Sequence, residues 1–199
     1  MNAPDGELGK AQLPIVMDPR NVQQAVSALQ GGSPPEYLEI FNEPDFSYKG
    51  FTPVTDAATA AQAVQPIMKA ASSSTTFISP AIAYTASSWL EDFFSACDGC
   101  KSKFPVISSH IYDTDPQSAI SNVELVHSRH PDKKIWLTEL APASDPSQGC
   151  TLDPAGVQAW MTTVVTWAAQ SGYVDRVYWN SGEWVSCLYS NLLIAQNKG

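Results

Sequence analysis

The amino-acid sequence predicts an α/β protein of the (β/α)8 barrel type, and three observations predict it. Six short, continuously apolar runs alternate with longer stretches of helical pattern, as parallel strands do when they are covered on both faces and joined by crossover helices. Polar and aromatic residues collect at the C-terminal ends of those runs: Asn42 and Glu43, His110 and Tyr112, Thr138 and Glu139, Trp179 and Asn180. A barrel keeps its chemistry at those ends. The glycine-rich turn that opens a dinucleotide-binding or P-loop sheet is absent, which disfavours an open, doubly wound sheet.

The runs are QLPIVMD (12–18), YLEIFNE (37–43), TFISPAIA (76–83), FPVISSHIY (104–112), KKIWLTELA (133–141) and DRVYWNSG (175–182). Three of the intervening helices are signposted by Asp-Pro, at 18–19, 115–116 and 153–154. There an aspartate caps the helix and a proline occupies the first helical position, where its missing N–H costs nothing. A helix over 56–71 contains Pro66, which removes an internal hydrogen bond and predicts a kink. The helix over 153–171 is expected to stop at Ser171-Gly172. With no break in composition, residues 1–199 are expected to form one domain. A complete barrel has eight strands and about 250 residues, so two strands are expected to be missing.

Composition excludes several partners. With 20 acidic against 11 basic residues and a formal charge of −9, the surface repels phosphate backbones and anionic lipid headgroups, so neither nucleic acid nor a membrane is an expected partner. No apolar run approaches the roughly 18 residues of a membrane-spanning helix, and residues 1–10 lack the pattern of a signal peptide. Four cysteines stand at Cys97, Cys100, Cys150 and Cys187. The Cys97-x-x-Cys100 pair could be half a zinc site, a redox centre or a short disulfide loop. Zinc needs further ligands at suitable spacing, which His110, His127 and His130 do not offer. A redox pair should open a helix, whereas this one follows a helical stretch. A structural disulfide is the favoured reading, and with an even cysteine count it points to an oxidising, secretory compartment. No metal and no cofactor is expected.

Glu43 and Glu139 carry the chemistry. Hydrolysis of a glycoside needs one carboxylic acid to protonate the leaving oxygen and one carboxylate to attack the anomeric carbon or activate water. Either glutamate alone could be a strand cap or an ion-pair partner. Two of them at strand ends, one framed by Asn42 and Pro44, form a set with a chemical purpose. Tyr112, two residues beyond His110, is the expected hydrogen-bond donor to Glu139. A carboxyl group serving as the acid must hold its proton near working pH, and Phe41, Phe46 or Tyr48 stand near enough in sequence to desolvate Glu43 in that role.

At these residues the chain resembles glycoside hydrolase family 128, the endo-β-1,3-glucanases also described as the glycosyl hydrolase catalytic core. The resemblance rests on FNEPD, ISPAIA, CDGC, SSHIYD and WLTELAP in that order, and extends from about Leu13 to Leu193. It implies a retaining barrel hydrolase in which Glu43 is the acid/base and Glu139 the nucleophile. It also implies that Asn42 bonds the sugar hydroxyl beside the reacting carbon, and that His110 and Tyr112 line the cleft. By the same resemblance YLEIFNE is the fourth barrel strand, so the first two β/α units have no counterpart. The ligand implied is a β-1,3-glucan, and the location implied is secreted or cell wall.

Trp179 and Trp184 are the best candidates to stack on sugar rings, since a pyranose packs its axial C–H groups on an indole face. Trp136, Trp160 and Trp167 are assigned to the core, and Glu183 is the rival should Glu139 fail. Cys97 is expected to bond to Cys100 and Cys150 to Cys187. A barrel open at one seam is expected to self-associate through its strand edges. Two other readings remain: an inactive β-glucan-binding protein with an incomplete barrel, and a hydrolase of the same clan acting on another β-glycan.

Overall fold

The computed structural model describes residues 13–31, 33–47, 54–71, 74–143 and 152–180. Each apolar run contributes a strand: β1 (Ile15–Val16), β2 (Tyr37–Ile40), β3 (Thr76–Ile78), β4 (Val106–Tyr112), β5 (Lys134–Ala141) and β6 (Val174–Trp179). All neighbours pair in parallel, and the sheet order is the sequence order. The result is an incomplete barrel of the expected class. Among the described residues β1 and β6 are its edges.

The helices α1 (Val22–Gln30), α2 (Ala57–Ala63), α3 (Gln65–Ala70), α4 (Trp89–Ala96), α5 (Pro116–Arg129) and α6 (Pro154–Gln170) connect the strands. The Asp-Pro signals act as read. The carboxylates of Asp18, Asp115 and Asp153 accept from the backbone N–H groups of Arg20, Gln117 and Gly156, satisfying donors that a helix start leaves unpaired. In the first case a short 3-10 turn, Pro19–Asn21, precedes α1. The predicted kink is a full division: one helix ends at Ala63 and the next opens at Gln65, with Pro66 in its first turn. Gly172 follows α6 with φ +77°, a left-handed stop that glycine adopts without a Cβ clash.

Strand alternation separates two cores. The helix-facing side carries Leu38, Ile40, Phe77, Ile107, Ile135 and Leu137, packed on residues such as Ile67, Phe93, Val123 and Trp160. The opposite side, the inside of the curved sheet, is built in layers. Its lowest layer holds Tyr37, Ile78, Val106, Trp136 and Tyr178. The Arg176 guanidinium lies 4.1 Å from the Trp136 ring centroid and 4.4 Å from that of Tyr37. Above it stand Glu39, Ser108 and Thr138, and above those Glu43, His110, Tyr112, Glu139 and Asn180, which bond one another.

Cys97 caps α4 and is bonded to Cys100. Cys150 and Cys187 lie outside the described residues. No helix among them is long and apolar enough to cross a membrane.

Candidate active site

The site begins with a strained backbone. Beyond β2 the chain turns left-handed twice, at Phe41 (φ 60°) and Glu43 (φ 42°), a conformation costing about 1–3 kcal/mol per non-glycine residue. Neighbouring strands impose it. Ala81 donates to the Phe41 carbonyl at 3.0 Å and accepts from the Glu43 N–H at 2.9 Å, while the Asn42 N–H reaches the Met17 carbonyl at 3.1 Å. Asp45 then clamps the next loop, accepting from the N–H groups of Ala83 and Tyr84 at 2.9 Å each. Burial raises the Asp45 pKa although both of these bonds oppose the shift. Asp45 thus staples the loops after β2 and β3, and Pro44 between it and Glu43 is buried.

Strand β4 offers Ser108, His110 and Tyr112 on one face by simple alternation. Strand β5 does not. Ser109 pairs with Leu137 and His110 with Glu139, so Thr138 is an extra residue, a bulge. Alternation would send Thr138 and Glu139 to opposite faces; the bulge lets both reach inward. Thr138 bonds Glu39, and Glu139 meets the upper layer.

His110 stands between the two predicted carboxylates. Its Nδ1 is 2.8 Å from Glu43 Oε1 and 3.5 Å from Glu139 Oε2. Glu139 Oε2 also accepts from the Tyr112 hydroxyl and, at 2.9 Å, from Asn180 Nδ2. Asn180 bonds the Tyr112 oxygen as well. The side chains are 11% exposed for Glu43, 1% for His110 and 31% for Glu139, so solvent enters from the Glu139 side. Burial alone would lower the His110 pKa. The charge of Glu139, the hydrogen bond to Glu43 and the charges of Glu43 and Glu39 outweigh it and push the pKa up to about 9. Burial and the Glu139 charge raise the Tyr112 pKa, so the phenol stays a donor.

One ligand atom each from Glu43, His110 and Glu139 lie within 4.8 Å of one another, a set that could coordinate a metal ion.

The structure brings together Glu43, His110, Tyr112 and Glu139, with Asn42 buried beside them at the bridge to Ala81. It does not bring Trp179 to them. Trp179 stands on the helix-facing side of β6, edge-on to Trp160 with ring centroids 6.2 Å apart, and belongs to the outer core. The expected sugar platform is therefore corrected: alternation turns Tyr178 and Asn180 inward and Trp179 outward. Trp184, Glu183 and Tyr48 lie outside the described residues. The assignment of Trp136 and Trp160 to burial agrees with their 3% and 2% exposure. Sequence reasoning gave no role to Glu39, Asp45 or Asn180. For Asn180 the signal was available, since it stands at a strand end.

Comparison with known proteins follows the same line. The family described as "Glycosyl hydrolase catalytic core" matches residues 2–198. Alkali-sensitive linkage protein 1 of Schizosaccharomyces pombe is 34% identical over 168 residues, covering 81% of this chain but 29% of that protein. The chain thus spans less than a third of that curated relative. Among solved structures, an oligosaccharide-binding protein of family 128 (subgroup VII) from Cryptococcus neoformans superposes with a TM-score of 0.73 at 20% identity, over 93% of this chain and 80% of its own. An endo-β-1,3-glucanase of the same family (subgroup I) from Amycolatopsis mediterranei, in complex with laminaripentaose, gives 0.66 at 22% identity, over 89% and 76%. These superpositions establish a shared fold.

Proposed function

The chain belongs to the glycosyl hydrolase catalytic-core family, and from that premise we propose that it is an endo-acting β-1,3-glucanase that retains anomeric configuration. Glu139 attacks the anomeric carbon while Glu43 protonates the departing glycosidic oxygen, breaking the C–O bond and leaving a glycosyl ester on Glu139. Glu43 then takes a proton from water, whose oxygen displaces the ester and frees the carboxylate. Tyr112 and Asn180 hold Glu139 by Oε2 and orient it. The observation that carries the reading is the closeness of the pair: a carboxylate oxygen of Glu43 and one of Glu139 lie within 4.8 Å. That suits direct attack, for which carboxyl groups stand about 5–5.5 Å apart, better than the roughly 6.5–9.5 Å that leaves room for a water.

The Cys97–Cys100 disulfide supports action in an oxidising location, secreted or at a cell wall. The outer edge of β1, with the apolar cleft formed by Val16, Met17, Ala25 and Leu38, supports self-association.

A second reading, an oligosaccharide-binding protein without turnover, is favoured by one observation. The bond from His110 Nδ1 engages Glu43 Oε1, an oxygen that an acid/base would aim at the substrate. One experiment separates the two: reducing ends released from laminarin, mannan and xylan, with the anomer of the first product followed by proton NMR. Release from laminarin with the β-anomer appearing first is expected. Binding without release supports the second reading, and the α-anomer first overturns retention.

A further inference from the structure

Below the two candidate catalytic carboxylates lies a third carboxyl group that the reaction above does not use. Glu39 projects from β2 into the inside of the sheet and is 3% exposed. Its Oε1 accepts from Ser108 Oγ on β4 and, at 2.8 Å, from Thr138 Oγ1 on β5, while the two hydroxyl oxygens lie 2.5 Å apart. Glu39 reaches past β3 to do so, because β3 separates β2 from β4 in the sheet. Thr138 is the residue that the bulge inserts, immediately before Glu139, and Ser108 stands two residues before His110.

A buried carboxyl group is a costly way to fill space. An apolar side chain of the same size would cost less, so polar triads of this kind serve arrangement better than stability. Strand β5 has two registers open to it. In plain alternation onward from Trp136, Thr138 would stand opposite His110 and Glu139 opposite Ile111, facing outward; in the bulge Thr138 stays down beside Ser108 and Glu139 stands opposite His110. The bulged Thr138 is the one that meets Ser108 and Glu39.

We propose that Glu39 is a positioning residue: by holding Ser108 and Thr138 together it fixes the β5 bulge and thereby the register at which Glu139 meets His110, Tyr112 and Asn180. Burial raises the Glu39 pKa, opposed by the charge of His110 and the bonds from Ser108 and Thr138. Glutamine, neutral and still able to accept at Oε1, is therefore the conservative replacement. Methionine fills the same space and leaves both hydroxyls without their acceptor.

The proposal rests on the glucanase reading for its kinetic arm alone. With the whole chain, Glu39→Gln is expected to keep kcat on laminarin within about 3-fold, and Glu39→Met to lower it about 30-fold with KM within about 2-fold, since a misplacement near 1 Å costs up to about 10² in rate. The ring 15N resonances of His110, which report its contacts with Glu43 and Glu139, are expected to stay in place in the glutamine protein and to move in the methionine protein. If the wild-type chain cleaves no glucan, the glucanase reading fails and the resonances alone decide. Wild-type kcat and resonances in Glu39→Met overturn the proposal, as does a Glu39→Gln protein equally impaired. Should Glu39→Met fail to fold, Thr138→Val, which removes only the hydroxyl, is expected to shift the same resonances and lower kcat; unchanged behaviour there overturns it too.

Discussion

The two ends of the sheet's inner face are made by the same strands and do opposite work. At the lower end Tyr37, Val106, Trp136 and Tyr178 close the interior with rings and aliphatic carbon, and the Arg176 guanidinium is spread over two aromatic faces. Such a layer stabilises through buried area and cation–π contact, and it has no preferred reagent. At the upper end, further along each strand, the interior holds Glu43, His110 and Glu139 beside two left-handed backbone residues. This layer concentrates charge and strain, which destabilise unless their surroundings enforce them. The lower layer, the helix core and the clamps at Ala81 and Asp45 supply that enforcement. A side chain's height along a strand thus decides whether its loss is felt in stability or in chemistry.

The largest expected break is chemical. Glu139→Ala is expected to lower hydrolysis of laminarin by about 10⁴-fold or more while glucan binding persists, because it deletes the proposed attacking group and little else. The measurement is kcat beside calorimetric binding of a laminari-oligosaccharide. Equal loss of both would count against a nucleophile. The corresponding break below is structural. Trp136→Ala is expected to cost about 3–5 kcal/mol in denaturant unfolding, through cavity formation and the loss of the Arg176 stack. A Trp136→Ala protein of unchanged stability would erase the distinction between the layers.

Much of this division is written in the sequence, and the remainder is hidden for physical reasons. Strands β1 to β6 and the caps at Asp18, Asp115 and Asp153 are legible because apolar runs and Asp-Pro pairs depend on local chemistry alone. That Glu43 and Glu139 lie together is legible because both end apolar runs, where a barrel gathers its polar side chains. The face of Trp179 is not: DRVYWNSG is apolar or aromatic on both sides, so nothing in it marks which side turns inward. The Thr138 bulge is not legible either, since it is a property of pairing with β4, and with it the purpose of Glu39 disappears from view. In YLEIFNE that residue reads as a polar interruption of a strand, and only the neighbours that the fold brings to it, Ser108 and Thr138, give it a role.

A smaller effect belongs to the upper layer and is read by pH. The His110 pKa is raised from 6.5 to about 9 in the folded protein. A raised pKa means that the folded state binds the proton more tightly than the unfolded chain, so this contribution is complete below about pH 6.5 and is lost as pH climbs through about 9. The loss amounts to about 3 kcal/mol. Unfolding free energy measured from pH 6 to pH 10 is therefore expected to fall in the wild-type protein, and to fall less over that window in His110→Gln. Parallel profiles would mean that His110 is neutral between its two carboxylates.

The smallest effect is expected where the comparison predicts no chemistry at all. Cys97 caps α4 and Cys100 begins the short 3-10 turn that leads through Phe104 to the lower end of β4, the end away from Glu43 and Glu139. The bond joins residues only three apart in sequence. Closing so short a loop removes little freedom from the unfolded chain, about 2 kcal/mol in the chain-entropy treatment. Phe93, Phe94 and Phe104 pack on one another in the same region and hold it without the bond. Replacing both cysteines by serine is thus expected to lower the unfolding free energy by no more than about 2 kcal/mol and to leave kcat on laminarin unaltered. Thermal melting and laminarin hydrolysis of the double variant give the two readings. A loss of turnover in a protein that still melts cooperatively would show that the lower end of β4 is coupled to the position of His110, and the separation of the two ends would have to be abandoned.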